Sequence, residues 1–494
     1  MQRYILSIDQ GTTGTTALIF DAELNILGKQ TVEFPQYFPN PAWVEHDLDE
    51  IWQSVLTSIN RVLQESKVAG NEIAAIGITN QRETTCVWNR SDASAYCHAI
   101  VWQDRRTSPQ CEKLKKEGWE KTINKKTGLL LDPYFSGTKL SWILKNDSKA
   151  MKLAKEGKLA FGTIESFLLY RMSGEHKTDV TNASRTLLMD LKTCRWDDEL
   201  LKLFKIPKQM LPEICPSSVL YGKTRKFAGL PDGIPITGMI GDQQAALFGQ
   251  ACFSKGSAKS TYGTGAFVLV NTGDKPIYSK HRLLTTVAWQ FGNKVTYGLE
   301  GSSFIAGAAV QWVRDGLKLF PKSSDIEALA NTVPDSDGVT FVPALSGMGA
   351  PHWLATATGL FTGITRRTNS AHIARATLDG IAFQVAELVE AMGKDFGKKI
   401  SPLKVDGGAS ANHLLMQTQA NLLGIPVVRS EIMETTALGA GLQAGLGIGF
   451  WKGFDDVEKR WKSSRKFESV ISSSKRKSEI ERWNKAMKAV KLLS

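Results

Sequence analysis

The first 80 residues of the chain contain four short apolar runs and one longer stretch in which apolar residues recur at regular spacing. The runs at residues 4–9, 17–21 and 26–34 predict three strands, the first two joined as a hairpin. From Asp47 to Val62, apolar side chains recur at helical spacing behind an acidic first turn, which predicts an amphipathic helix. Another apolar run, at 73–79, predicts a buried strand. This order of strands and helix indicates an α/β fold.

A similar progression returns in the rest of the chain. Five prolines between residues 207 and 235 interrupt regular structure ahead of a predicted strand at 234–240. A second predicted hairpin spans 259–270, and a strand at 403–406 leads to Gly407, Gly408 and a periodic helix. A strand followed by a Gly-rich turn therefore occurs three times, whereas no short tandem repeat is present, which disfavours solenoids and propellers. We predict two lobes, at residues 1–252 and 253–494.

The three Gly-rich turns are candidates for holding phosphate. Glycine lets backbone N–H groups approach phosphate oxygens because no Cβ intervenes. The first turn, at residues 10–16, adds threonine hydroxyls, and Asp9 before it is a candidate to hold Mg²⁺. Each turn alone also fits an ordinary hairpin, but together they indicate a nucleotide clamped between two lobes. Neither G-x-x-x-x-G-K-[ST] nor G-x-G-x-x-G is present, so Walker-type NTPases and dinucleotide enzymes are disfavoured.

A carboxylate follows the strand at 234–240. Phosphoryl transfer to a hydroxyl needs a base to accept the hydroxyl proton, and Asp242 is our candidate. Ligands in α/β sheets gather at the carboxyl ends of strands, which favours this position. The alternative is a helix N-cap, a common role for aspartate.

Polar side chains just after residue 80, together with two later aromatic residues, suit a polyol. Arg82 and Glu83 supply a donor fork and an acceptor after a strand that we expect to be buried, although a plain surface ion pair is the alternative. Trp102 and Tyr134 are candidates for an apolar wall, unless they are only core aromatics. Together these residues predict a site for neighbouring hydroxyl groups on a short carbon chain.

Composition and charge indicate the class of protein, its location and its possible partners. With 42% hydrophobic and 22% charged residues and a length of 494, the chain has a globular profile. No bilayer-spanning run and no secretory signal are present, so we expect a cytoplasmic protein without an integral membrane segment. Six scattered cysteines lack metal-ligand spacing and are expected to be reduced. The net charge of +12 is dispersed, which predicts no nucleic-acid partner and fits an anionic small molecule equally well.

Several motifs together resemble the FGGY carbohydrate kinases, and among them the members that act on glycerol. The resemblance covers nearly all of the chain up to about residue 450 and rests on these segments: Ser7–Thr13, Trp43–His46, Gly77–Thr84, Asp132–Trp142, Gly241–Gly249, Thr261–Gly265, Gly359–Ile364 and Asp406–Gly408. It implies an α/β fold of two actin-like, ribonuclease H-like lobes with the ATP and substrate cleft between them. It also implies phosphorylation of glycerol by ATP, with Mg²⁺, to sn-glycerol 3-phosphate, in a homodimer or homotetramer.

The resemblance also implies roles for individual residues. Asp242 would be the general base, and Asp9 and Asp242 would orient Mg²⁺. The implied substrate contacts are Arg82, Glu83, Trp102, Tyr134, Asp242 and Gln243. The implied nucleotide contacts are Thr12, Thr13, Gly14, Thr264, Gly307, Gln311, Gly408 and Asn412.

Three positions depart from the family pattern. Thr16 stands where such kinases often carry Arg near the phosphates, so one charge contact is absent, and Leu354 and Thr358 replace polar residues of the second lobe. Two other functions stay open at this point. One is an FGGY kinase for another polyol or sugar, and the other is an ATP-binding protein without catalysis, although Asp242 and the Arg82–Glu83 pair argue against the second.

Overall fold

One 13-stranded mixed sheet runs through the computed structural model, which describes residues 3–225 and 227–494. We number its strands in chain order: β1 Tyr4–Gln10, β2 Gly14–Phe20, β3 Ile26–Glu33, β4 Ile73–Asn80, β5 Ser218–Lys223, β6 Pro235–Gly241, β7 Ala258–Tyr262, β8 Ala266–Gly273, β9 Leu284–Phe291, β10 Lys294–Ser303, β11 Leu403–Asp406, β12 Val427–Ser430 and β13 Ser463–Phe467. Their order across the sheet is β13-β12-β11-β7-β8-β10-β9-β5-β6-β4-β1-β2-β3.

The two halves of this sheet repeat one topology. In the first half, β1 pairs antiparallel with β2 and parallel with β4, which in turn pairs parallel with β6. In the second half, β7 pairs antiparallel with β8 and parallel with β11, which in turn pairs parallel with β12. The halves meet where β5 and β9 pair through Ser218 and Phe291 alone. The duplicated arrangement matches the prediction of two related lobes.

Seven helices cover the sheet or line the space between its halves. They are α1 Leu48–Ser66, α2 Asp242–Gly249, α3 Gly307–Asp315, α4 Ser370–Phe396, α5 His413–Leu423, α6 Thr435–Gly447 and α7 Ser473–Leu493. The helix α1 begins after Asp47, whose carboxylate accepts hydrogen bonds from the Asp49 and Glu50 N–H groups. Its apolar stripe, which includes Ile51 and Val55, is buried in the core of the first half.

Further helices and five two-stranded pairs complete the part of the chain that the structure describes. The other helices are Ser108–Lys116, Trp119–Thr127, Ser136–Asn146, Ser148–Lys155, Ile164–Ser173, Val180–Ala183, Asp198–Phe204, Asp325–Ala330 and Phe454–Glu458. The two-stranded pairs are Glu45–His46 with Ala99–Ile100, Cys86–Asn89 with Leu159–Gly162, Lys177–Asp179 with Glu213–Cys215, Met189–Asp190 with Arg195–Trp196, and Thr340–Val342 with Leu360–Thr362. All six cysteines are free thiols, as the sequence predicts.

Two helices, α2 and α6, pack in a separate hydrophobic core between the halves. This core takes Ile5 and Phe20 from the first half, Leu269 from the second, Phe248 from α2 and Leu438 from α6. The backbones of α2 and α6 touch because glycines lie at their contact. The start of α2 is therefore held at the boundary between the lobes, where the sequence places Asp242.

The elements predicted from the hydrophobic pattern are present with small shifts of their ends. The predicted strand 17–21 is β2, which begins at Gly14 and ends at Phe20. Asp21 lies outside the strand because its carboxylate accepts hydrogen bonds from the N–H groups of Glu23 and Asn25 and closes a turn. Within the described ranges, no helix combines the length and apolarity that a membrane span requires.

Candidate active site

Adjacent parallel strands bring the predicted polar residues to one edge of the sheet. In the pairing of β4 with β6, Asn80 lies opposite Gly241, so the residues that follow the two strands emerge side by side. Nε of Arg82 lies 2.8 Å from Oδ1 of Asp242. Because this N–H is not aligned with a carboxylate oxygen, the contact is an ion pair without a directed hydrogen bond. Residues 160 positions apart thus share one site.

Asp242 is the first residue of α2 and does not cap it. The N-cap is Gly241, and Oδ1 of Asp242 accepts a hydrogen bond from the N–H of Gln243 at 2.7 Å. The Gln243 amide also lies 3.2 Å from Oδ2 and donates to it. The N-cap alternative is therefore wrong, and the Asp242 side chain keeps 27% of its surface exposed. This carboxylate is oriented and remains accessible.

The first Gly-rich turn lies beside the same carboxylate. It joins β1 to β2, and the Gly11 N–H donates to the Gly14 carbonyl at 2.9 Å. Asp9 precedes the turn, and burial together with the charge of Asp242 raises the pKa of Asp9 to about 7. Thr12 accepts a hydrogen bond from Nε1 of Trp102 at 2.9 Å. The turn is thereby connected to an aromatic side chain that the sequence assigns to the substrate.

Three aromatic rings form a wall next to Arg82 and Asp242. Trp102 makes edge contacts with Tyr134 at 5.7 Å and with Phe267 at 6.4 Å between ring centroids. Tyr134 is 3% exposed, and Phe267, from β8, is partly buried. Sequence reasoning missed Phe267, because an aromatic residue in an apolar strand gives no local signal of a binding role.

Charged side chains that sequence reasoning also missed surround the Arg82–Glu83 pair. Nη2 of Arg82 donates to Oε1 of Glu300 at 2.9 Å, and Nε of Arg185 donates to Oε1 of Glu83 at 2.6 Å. Lys259, fully buried on β7, donates through Nζ to Oε1 of Gln243 at 2.6 Å. The surface-pair alternative for Arg82 and Glu83 is wrong, since both are buried. The available signal for Glu300 and Lys259 was a charged residue within a strand.

The predicted nucleotide residues of the second half line one cavity of about 500 Å³. These residues are Thr264, Gly307, Gln311, Gly408 and Asn412. The cavity wall also has four apolar side chains that the sequence did not suggest, Val310, Ile326, Leu378 and Leu415. A polar rim of hydroxyl and amide groups beside an apolar wall suits a nucleotide.

Comparison with known proteins identifies the family. A model of the N-terminal domain of the FGGY family of carbohydrate kinases matches residues 4–249, and a model of the C-terminal domain matches residues 258–448. This chain belongs to that family. The first match covers the strands β1 to β6, and the second covers β7 to β12.

Individual relatives resemble this FGGY kinase over its whole length. A glycerol kinase of Myxococcus xanthus is 53% identical over 98% of this chain and 99% of the relative. The crystal structure of Plasmodium falciparum glycerol kinase with ADP has a TM-score of 0.91 at 37% identity, covering 99% of this chain and 98% of that one. The crystal structure of gluconate kinase from Lactobacillus acidophilus has a TM-score of 0.88 at 24% identity and covers 99% of this chain and 98% of that one. At this identity the likeness supports the fold alone. The predicted fold of two actin-like lobes is confirmed.

The three positions that depart from the family pattern lie outside the contacts described above. Thr16, on β2, shares a hydrogen bond of 2.9 Å with the hydroxyl of Thr31. The backbone groups of Leu354 and Met348 exchange two hydrogen bonds. Thr358 is exposed. In this FGGY kinase Thr16 lies opposite Asp9 in the pairing of β1 with β2.

Gly307 lets α3 of this FGGY kinase approach the second Gly-rich turn. Its N–H donates to the Gly263 carbonyl oxygen at 2.9 Å, and an added Cβ would lie 2.7 Å from that oxygen. Gly307→Ala must separate the turn from the helix, at a cost of about 1–3 kcal/mol. We expect ADP affinity, measured by calorimetry, to fall about tenfold. Gly393→Ala in α4, where the nearest atom is 3.3 Å away, is the control. Unchanged ADP affinity in Gly307→Ala would show that this approach does not matter for binding.

Proposed function

We infer that this chain phosphorylates glycerol with ATP and produces sn-glycerol 3-phosphate and ADP. The observation that carries the inference is the contact between Asp242 and Arg82, which places an accessible carboxylate beside a donor fork and an aromatic wall. The sequence likeness to proteins named glycerol kinase, at 50% to 53% identity over nearly the whole chain, supports glycerol over sugars.

Glycerol would lie between the polar pair and the aromatic wall. Arg82 and Glu83 offer a donor and an acceptor to adjacent hydroxyl groups, and the Tyr134 and Trp102 rings cover the carbon chain. Gln243, whose side-chain oxygen accepts from Lys259, has its amide fixed in one orientation. The pairing of polar groups with aromatic rings suits neighbouring hydroxyl groups on a carbon chain.

Asp242 would act as the general base. It accepts the proton of the attacking hydroxyl while the new O–P bond forms and the bond from the γ-phosphorus to the ADP oxygen breaks. The Gln243 N–H and amide bonds hold its carboxylate toward the cleft. The chain's own contribution is therefore a positioned carboxylate next to a positioned hydroxyl.

The nucleotide would bridge the two halves. The first-turn residues Thr12, Thr13 and Gly14 present a hydroxyl-rich hairpin to the phosphates from one side. The cavity that contains Thr264, Gly307, Gln311, Gly408 and Asn412 accepts the rest of the molecule from the other side. We propose residues 1–252 and 253–494 as the two lobes, since the sheet halves β1–β6 and β7–β13 divide there.

Two carboxylates make the cleft suited to Mg²⁺. The charge of Asp242 helps to raise the pKa of Asp9, so a cation between them would relieve their repulsion. Among residues 3–225 and 227–494, no group of three or more His, Cys, Asp or Glu side chains could hold a metal. This matches an ion held by Asp9, Asp242 and substrate phosphates, as Mg²⁺ prefers. When bound, the ion neutralises charge on the phosphates.

A substrate panel with coupled detection of ADP tests the proposal. We expect ADP release to rise strongly with glycerol and to stay near the background rate with xylulose, ribulose or gluconate, because the relatives at 50% to 53% identity are named glycerol kinases. Faster turnover of any of these sugars would assign another FGGY substrate, and nucleotide binding without turnover would indicate a non-catalytic relative. Light scattering on the same sample would measure the assembly, for which the family resemblance supports two or four copies.

A further inference from the structure

Four charged side chains are buried together behind the proposed glycerol site. Arg82, Glu83, Arg185 and Glu300 have side chains that are no more than 2% exposed. Oε1 of Glu300 accepts from Nη2 of Arg82 at 2.9 Å and from Nη2 of Arg185 at 3.0 Å. Its Oε2 accepts from Nη1 of Arg82, so Glu300 grips that guanidinium with both oxygens. We call these four residues the buried charge cluster.

Glu300 reaches the cluster from the other domain. It lies on β10, opposite Leu269 and Leu284, within the part of the chain that matches the C-terminal FGGY domain. The other three members of the cluster lie in the part that matches the N-terminal domain. The Glu300–Arg82 ion pair therefore crosses the boundary between the domains.

Opposite charges face one another inside the cluster, where burial raises the pKa of Glu83. Two guanidinium groups face two carboxylates, and Asp242, 2.8 Å from Nε of Arg82, is a fifth charge at its edge. Burial alone would raise the pKa of Glu300, yet the guanidinium groups of Arg185 and Arg82 hold that pKa at about 2. Glu300 is therefore ionised and compensates the charge of both buried arginines.

We propose that Glu300 is a positioning residue: it accepts hydrogen bonds from both Nη atoms of Arg82 and so holds that guanidinium toward glycerol and beside the Asp242 carboxylate. Without the charge of Glu300, two buried arginines would face only Glu83 and Asp242. Arg82 would then lose the partner that holds both of its Nη atoms, and its guanidinium would no longer be fixed toward glycerol. This inference rests on the proposed glycerol kinase reaction.

A charge-balance experiment separates positioning from simple packing. Glu300→Gln keeps the shape and removes the charge, and we expect kcat with glycerol to fall by about 10-fold to 100-fold, the usual loss when a residue that supports a site residue is changed. ADP affinity should stay within about twofold of wild type, because the nucleotide cavity contains no member of the cluster. Adding Arg185→Gln removes one positive charge and restores the balance, so the double variant should turn over faster than Glu300→Gln alone.

Two results would overturn the proposal. One is a wild-type kcat in Glu300→Gln. The other is a double variant that is slower than both single variants, Glu300→Gln and Arg185→Gln, which is the pattern of a purely structural contact. If Glu300→Gln does not fold, the balanced double variant and Glu300→Asp, which keeps the charge, must still turn over glycerol, and failure of both would also reject it.

The control is Asp379→Asn. This buried carboxylate pairs with Arg375 at 3.2 Å on α4, so its loss removes a similar ion pair outside the cluster. We expect its kcat to remain that of wild type. If wild type itself does not phosphorylate glycerol, the proposed function fails, whereas an active wild type with an equally active Glu300→Gln rejects only the role of Glu300.

Discussion

Asp242→Asn is expected to lower kcat with glycerol by about 10²- to 10⁴-fold, the range that loss of a general base produces. The amide keeps the size of the side chain and can still accept the bond from the Gln243 N–H, so the start of α2 should stay in place. It cannot accept the hydroxyl proton at neutral pH. Single-turnover measurement of ADP formation, with ADP affinity by calorimetry, would separate the chemical step from nucleotide binding.

A matched aspartate provides the control for this result. Asp49 occupies the first turn of α1 as Asp242 occupies that of α2, but its partner is Arg171 on the protein surface. Asp49→Asn is expected to leave kcat unchanged. If Asp242→Asn retained more than about a tenth of wild-type turnover, another group would have to take the proton, and our assignment of the base would be wrong.

Gly439→Val is expected to cost about 3 kcal/mol of stability or more, because overpacking of a rigid contact is poorly relieved. A Cβ on Gly439 in α6 would lie 1.9 Å from the carbonyl oxygen of Ala245 in α2. Backbone cannot move aside as a flexible side chain would. Because α2 begins at Asp242, we expect the variant to lose turnover as well as thermal stability, measured by calorimetry and by ADP release.

Gly453→Val is the control for this packing effect. An added Cβ at Gly453 meets no atom within 4 Å, and the residue has extended backbone with φ of 162°. Its melting temperature and turnover should therefore match those of wild type. Equal stability of the Gly439 and Gly453 variants would mean that α2 and α6 can separate without loss, and would argue against a rigid connection at the lobe boundary.

Local patterns were sufficient to predict much of this protein. The hairpins β1–β2 and β7–β8, the helix α1 and the strands before Arg82 and Asp242 were predicted because apolar spacing and Gly-rich turns are properties of neighbouring residues. The motifs also identified the FGGY kinases, and with them the candidate phosphate and glycerol residues. In the described structure Arg82 and Asp242 come together because β4 and β6 are adjacent and parallel.

Only the tertiary structure showed which distant charges neutralise one another. Arg82 and Glu300 are 218 positions apart, and Lys259 meets Gln243 across the lobe boundary. It also showed that Asp242 is not a helix cap and that Glu83 is buried. Such pairings depend on burial, where an uncompensated charge is costly, and burial is a property of the packed sheet halves that no local spacing encodes. The chain by itself determined the family and the turns, and the packing decided which buried charges compensate one another.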